Sequence, residues 1–351
     1  MTQETPASTA AMSSRARAEA DGRPAVETSS LGRVYRSRNE TVTALGGVDL
    51  RVNEGELYGV LGPNGAGKTT LIKILVTLLL PSSGRAVVDG LDVVRDFKRL
   101  RPRISMVSGG ENAGYGLLRV REQLWMFSQF YGMSTRAALS RIDELLERLG
   151  LADAANRQIS GLSSGMRQKM NLIRGLMTDP RVLFLDEPTV ALDVGAARDV
   201  RQEVRRWMQE DRSRTVILTT HYMQEADELC DRIAIVNRGR IVAEGRPDEL
   251  KRMVQEDVIV DLQLAAPGQR VLDQLRDVDG VSAATLQEVD GRDIFTLLLQ
   301  DESTLPRVMT AVERNSRRVI GLSKREPTLE DAFVKLVGRS MTEEEQGKAS
   351  A

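Results

Sequence analysis

Nine consecutive residues, Gly62-Pro63-Asn64-Gly65-Ala66-Gly67-Lys68-Thr69-Thr70, set glycines, a lysine and two threonines between the apolar run Leu57–Leu61 and the helical start Leu71-Ile72-Lys73. The order strand, loop, helix is what a phosphate-binding loop requires. Glycines let backbone N–H groups face phosphate oxygens, and the helix N-terminus adds a favourable dipole. Lys68 is placed to reach β and γ phosphates, and Thr69 to offer an oxygen to magnesium. A glycine turn beside an ordinary surface lysine is the bland alternative, which the strand-loop-helix context disfavours. Gly62, Asn64, Gly65, Gly67, Lys68, Thr69 and Thr70 are the candidate nucleotide contacts.

Downstream, the apolar run Val182-Leu183-Phe184-Leu185 ends in Asp186-Glu187-Pro188-Thr189. Asp186 can hold magnesium directly or through water, while Glu187 can orient and polarise a water for in-line attack on a γ phosphate. Two carboxylates after a strand also fit a solvated turn or a helix cap. Their pairing with the glycine loop favours catalysis. Between the two motifs, Leu162-Ser163-Ser164-Gly165-Met166-Arg167-Gln168 precedes a helical run from Lys169 to Met177. Ser163, Gly165 and that helix N-terminus can form a second anion site, or simply a capped helix.

These residues need a scaffold, and the pattern from Val34 to about Arg252 supplies one: short apolar runs alternate with helical patterns, as in a sheet flanked by helices. Val120 to Leu149 interrupts it with helical spacing, where Ser134 is a cap and Gly150 a stop. After Lys251 the expected order is strand Val258–Leu264, helix Val271–Val278, strands near Val281–Glu288 and Ile294–Gln300, helix Leu305–Arg317 and a strand near Val319–Leu322. That β-α-β-β-α-β order is the ferredoxin-like motif. An amphipathic helix opening at Pro327-Thr328 follows. The fold class is therefore α/β with a helical insert, plus a small α+β ferredoxin-like C-terminal domain.

The chain has 351 residues, a formal net charge of -1 and 28% charged residues, which gives no basic field for nucleic acid. One cysteine, Cys230, excludes an internal disulfide and reads as a small buried hydrophobe in a reducing compartment. The apolar stretch Leu71–Leu80 is broken by Lys73 and is about half the ~20 residues a membrane span needs. Met1 to about Ser30 lacks the apolar core of a signal peptide and reads as a disordered tail.

Residues Leu162–Gln168 resemble the signature motif of ABC ATPases, with Ser164 where that family has a second glycine and Met166 where it commonly has glutamine. The resemblance implies that Ser163 and Gly165 contact the γ phosphate held by another subunit, in a head-to-tail homodimer enclosing two ATP molecules. It places His221, the chain's single histidine, as the switch residue at the γ phosphate. It places Asp193 at the dimer interface, with Ala191 for the usual glycine, and Tyr35 on the adenine, unless Tyr35 is mere packing. The family's glutamine after the strand Ile104-Ser105-Met106-Val107 is replaced by Ser108-Gly109-Gly110-Glu111-Asn112. Glu111 or Asn112 is then the substitute oxygen near magnesium, and Gly109, Gly110, Gly114 and Gly116 supply either a hinge or a flexible surface loop.

Glu326-Pro327-Thr328-Leu329-Glu330-Asp331-Ala332-Phe333 and Thr219-Thr220-His221-Tyr222-Met223-Gln224-Glu225-Ala226-Asp227 are similar to the daunorubicin-resistance-type exporter branch. The resemblance implies an ATPase at the cytoplasmic face of a membrane that powers efflux of a drug, lipid or glycan through a separate polytopic permease. The expected domains are a tail over 1–30, a phosphate-loop ABC core over 31–252 with its insert at about 115–175, the ferredoxin-like unit over 253–340 and a tail over 341–351. The C-terminal unit reads either as linked to transport or as a dimerisation or stabilising module. Rivals are an importer subunit, a soluble ABC ATPase and a nucleotide-gated binding module. Retention of Lys68, Asp186, Glu187 and His221 argues against the last.

Overall fold

A computed structural model describes residues 23–37, 40–109, 115–254, 257–264, 269–289, 292–314 and 319–337. Its contacts divide the chain into two compact units. One runs through Tyr58 and resumes over Thr69–Thr219; the other is Gly59–Lys68 with the chain from Thr220 onward.

In the first unit, β1 (Pro24–Arg36) pairs antiparallel with β2 (Thr41–Asn53) and with β4 (Ser83–Val88), and β5 (Leu91–Asp92) completes the sheet order β2-β1-β4-β5. The disordered tail expected to reach about Ser30 is thus corrected: Ala25, Val26 and Thr28 are buried in β1, where cross-strand pairing consumes the backbone's hydrogen-bonding groups. The tail expectations over 1–22 and 341–351 lie outside the described residues.

The parallel strands β6 (Ile104–Ser108), β7 (Val182–Asp186) and β8 (Thr215–Thr220) align their ends: Ser108 is opposite Asp186, and Asp186 opposite Thr219. Continuous burial along β7 and β8 accounts for their unbroken apolar runs. Strand β3 (Leu57–Leu61) leads into the glycine loop, and in the second unit β9 (Arg232–Asn237) pairs antiparallel with β10 (Arg240–Gly245). Helix α1 (Lys68–Leu75) follows β3.

The insert comprises α2 (Val120–Phe130), α3 (Thr135–Arg148) and α4 (Ser164–Leu176). As the sequence implied, Ser134 Oγ accepts from the Ala137 N–H at 3.4 Å to start α3, and Gly150 leaves it with φ +66°. Helix α5 (Val194–Glu210) is capped by Asp193.

In the second unit, α6 (Met223–Leu229) and α7 (Pro247–Arg252) precede a four-stranded antiparallel sheet, β11 (Val258–Leu264), β12 (Val281–Val289), β13 (Arg292–Leu299) and β14 (Val319–Lys324). Its order β12-β13-β11-β14, with α8 (Gln269–Arg276) after β11 and α9 (Leu305–Arg314) after β13, is ferredoxin-like. Val260, Leu262, Leu264, Phe295, Leu297 and Leu299 alternate onto one face and form its core with residues of both helices.

The closing helix α10 (Leu329–Val337) packs against α6, α7 and β12. Asp331, fully buried, fixes its start. Asp331 accepts from the Thr328 N–H and hydroxyl at 2.8 and 2.7 Å, and takes both Arg325 Nη atoms at 2.6 and 2.9 Å. Among the described residues no helix is long and apolar enough to cross a membrane.

Candidate functional site

Strand β3 is buried throughout and delivers the chain to Gly62, where a Cβ would stand 2.2 Å from the Val236 carbonyl oxygen. Only glycine fits there. The Gly62 N–H donates to the Thr220 carbonyl at 3.3 Å, and the Ala66 N–H closes the loop on the Pro63 carbonyl at 3.1 Å. Gly65 and Gly67 have φ of +75° and +109°, conformations costly to residues with a side chain. From the β9–β10 turn, the Gly239 N–H donates to the Ala66 carbonyl at 2.8 Å, seating the loop from outside. Lys68 is buried, and its Nζ donates to the carbonyls of Gly62 at 2.6 Å and Pro63 at 3.3 Å. The loop therefore carries an enclosed cation, while Asn64, Gly65 and Thr69 are exposed and Thr70 is half-buried.

In the first unit the sequence-selected Thr69 and Asp186 come together: Thr69 Oγ1 donates to Asp186 Oδ1 at 3.2 Å. The same carboxylate oxygen accepts from Thr219 Oγ1 at 2.5 Å. Asp186 is buried at the end of β7, unlike a carboxylate in a solvated turn. Glu187 follows with φ +50°, a strained conformation of the kind that concentrates at functional positions. Its N–H donates to the Thr219 carbonyl at 3.0 Å and lies 3.2 Å from Thr219 Oγ1. Thr219 belongs to no catalytic motif in the sequence, yet its hydroxyl on Asp186 and its backbone on Glu187 hold both carboxylate residues. The aligned ends of β7 and β8 put it there.

The backbone freedom expected of Gly109 is not used, since its φ is not in the left-handed region. Close approach is the reason for glycine instead: the Gly109 N–H donates to the Asp186 carbonyl at 2.8 Å, and a Cβ would lie 1.9 Å from the Glu187 carbonyl oxygen. Gly116 has neither a positive φ nor a close neighbour. Gly110, Glu111, Asn112 and Gly114 lie outside the described residues.

The two downstream turns are both helix caps. Ser163 Oγ accepts from the Met166 N–H at 3.2 Å, and Asp193 Oδ1 from the Ala196 N–H at 2.8 Å. They adjoin, since a Cβ at Gly165 would stand 2.9 Å from the Ala196 Cβ. Ser163, Ser164, Asp193 and Val194 are exposed. Ala191 has φ +59°, which explains why glycine suits that position. Tyr35 is exposed on β1, with the Arg33 guanidinium 4.7 Å from its ring centroid. In the second unit His221 follows β8, half-buried, its ring 4.2 Å from that of Tyr222.

Residues 45–190 match the ABC transporter family model, and residues 245–337 the model for the C-terminal domain of DrrA1-3-like ATP-binding proteins. Daunorubicin resistance ATP-binding protein DrrA3 of Streptomyces coeruleorubidus is 41% identical over 297 residues, spanning 84% of this chain and 91% of that protein. The chain belongs to the ABC transporter ATP-binding proteins of the daunorubicin-resistance type. This ABC protein is an ATP-hydrolysing enzyme. Nod factor export ATP-binding protein I of Rhizobium etli is 33% identical across 90% of the ABC protein and 94% of its own length. A solved dimeric ATP-binding cassette in a post-hydrolysis state, bound to ADP and phosphate, aligns with a TM-score of 0.57 at 26% identity. That alignment covers 63% of the ABC protein and 98% of the solved chain.

Proposed function

We propose that this ABC ATPase works as a homodimer that closes on two ATP molecules and drives export through a separate polytopic permease. The match across 84% of the chain to an ATP-binding protein named for daunorubicin resistance carries this reading. A drug, lipid or glycan is the expected cargo class. The chain then sits at the cytoplasmic face of the membrane, held there by the permease, and binds no nucleic acid. The cassette, through about residue 252, and the ferredoxin-like unit from 253 serve as separate domains.

In this reading the amides of Gly62–Thr70 cradle the phosphates, Lys68 neutralises them and Tyr35 stacks on the adenine. The adjacent Thr69 hydroxyl and Asp186 carboxylate are hard oxygen donors of the kind magnesium takes beside phosphates and water, so the site fits that ion. Bound there, magnesium would supply neutralisation of phosphate charge. Glu187 orients a water whose oxygen forms a bond to the γ phosphorus as the bond to the bridging oxygen breaks, and it takes the water's proton. His221 steadies the γ phosphate. Ser163, Gly165 and Asp193 reach the ATP held by the partner, and exposed Val194 beside them suits an interface. Glu111 is assigned the metal-side role of the missing glutamine. Tyr115, Leu117, Trp125, Phe130 and Tyr131, all exposed on and just before or after α2, are the apolar side chains offered to the permease.

Affinity isolation of the full chain from detergent-solubilised membranes tests this reading. Co-isolation of a polytopic permease whose presence stimulates ATP hydrolysis is expected. Recovery of active ATPase without any membrane partner would favour a soluble role.

A further inference from the structure

Helix α5, capped by Asp193, is fastened to the helical insert along one stripe. At its first turn Ala196 receives Gly165 of α4 in the close contact described above. Next, Lys169 Nζ of α4 lies 2.5 Å from Asp199 Oδ2. At the end of α3, Arg148 Nη2 lies 2.5 Å from Glu203 Oε1, while its Nη1 lies 2.9 Å from Glu210 Oε1 and 3.1 Å from Glu144 Oε1. Ala196, Asp199, Glu203 and Glu210 recur at helical spacing, so one face of α5 meets α3 and α4.

The pair at the centre of this stripe is unusual. Arg148 and Glu203 side chains are 7% and 4% exposed, so both charged groups are almost wholly withdrawn from water. Burial pushes the Glu203 carboxyl above its ordinary range despite the guanidinium beside it. A buried ion pair recovers its desolvation cost only with excellent geometry, and apolar side chains of similar volume are often as stable or more so. A buried pair of this kind is therefore weak evidence of stabilisation and suits a role in fixing geometry.

We propose that Arg148 and Glu203 are positioning residues for ATP hydrolysis, locking the Asp193 turn to the Ser163–Gly165 turn so that both meet the partner's nucleotide as one preassembled surface. The inference rests on the reading of Ser163, Gly165 and Asp193 as interface groups. Each turn caps its own helix, so its direction follows that helix axis. Rotation of α5 against α4 would part them. Placement errors of about 1 Å cost up to ~100-fold in rate.

The test compares the full-length chain carrying Arg148→Leu with Glu203→Leu, and separately Ser163→Ala, for thermal midpoint, ATP affinity and kcat. The apolar pair is expected to keep its midpoint and ATP affinity but lose at least about tenfold in kcat, and Ser163→Ala to lose kcat as well. Nucleotide-driven dimerisation of the apolar pair, measured in a Glu187→Gln background, is expected to weaken. Unchanged kcat in a stable apolar pair, with Ser163→Ala impaired, overturns the positioning role alone. Unchanged kcat in both overturns the interface reading too. If the apolar pair does not fold, the isosteric Glu203→Gln decides by the same split: a kcat loss at constant ATP affinity supports the role, and unaltered kcat refutes it.

Discussion

Gly109 lies against Glu187 so closely that a Cβ on the glycine would stand 1.9 Å from the glutamate's carbonyl oxygen. Gly109, just past β6, and the residue assigned to polarise water are therefore in backbone contact, and the parallel register of Ser108 with Asp186 sets that contact. Strand-end geometry thus ties the end of β6 to the backbone of Glu187.

Gly109→Ala must open that gap by about 1 Å, displacing one strand end, and a shift of that size reaches ~100-fold in rate. ATP hydrolysis is expected to fall at least tenfold, roughly, while ATP affinity stays within about threefold, because Lys68 and the glycine loop are untouched. Steady-state kinetics beside equilibrium ATP binding checks this.

Ala191→Gly acts in the opposite sense on stability. Alanine at φ +59° bears a left-handed penalty of about 1 kcal/mol, which glycine relieves. The freer unfolded chain offsets part of the gain. A thermal midpoint higher by about 1–2 °C is expected, measured by calorimetry at neutral pH.

Glu330 gives the fold a pH signature. Burial, and then the neighbouring Asp331 carboxylate, hold the half-buried Glu330 carboxyl above its ordinary range, with the Gln287 amide at 2.8 Å opposing. Between the ordinary carboxylate pKa and the raised folded value, the folded state keeps a proton that the unfolded state has lost. Stability from this group is therefore complete below the ordinary value and is lost as pH rises through the folded one. Glu330→Gln is expected to raise the thermal midpoint at neutral pH, with the gain vanishing at about pH 4 and below. Midpoints measured across that range test the sign.

Much of this was legible in sequence because the chemistry is local. Glycine spacing around Lys68, the Ser134 cap and the exact span of β11 follow from short-range rules. Long-range features were not legible. Residues 24–30 are too polar to announce a strand and become one by pairing with β2 and β4. Thr219 and Gly109 owe their places to the register of β6, β7 and β8, which no local pattern encodes. The tie from Arg148 to Glu203 joins residues distant in sequence on separate helices, and neither belongs to a motif.

The central claim is that Glu187, strained at φ +50° and held by Thr219, activates the attacking water while the glycine loop binds ATP. Hydrolysis and ATP binding by purified Glu187→Gln test it most directly. The account expects ATP binding near the unsubstituted level, a trapped closed dimer and hydrolysis reduced at least about 100-fold. Near-normal steady-state turnover by that variant would contradict it.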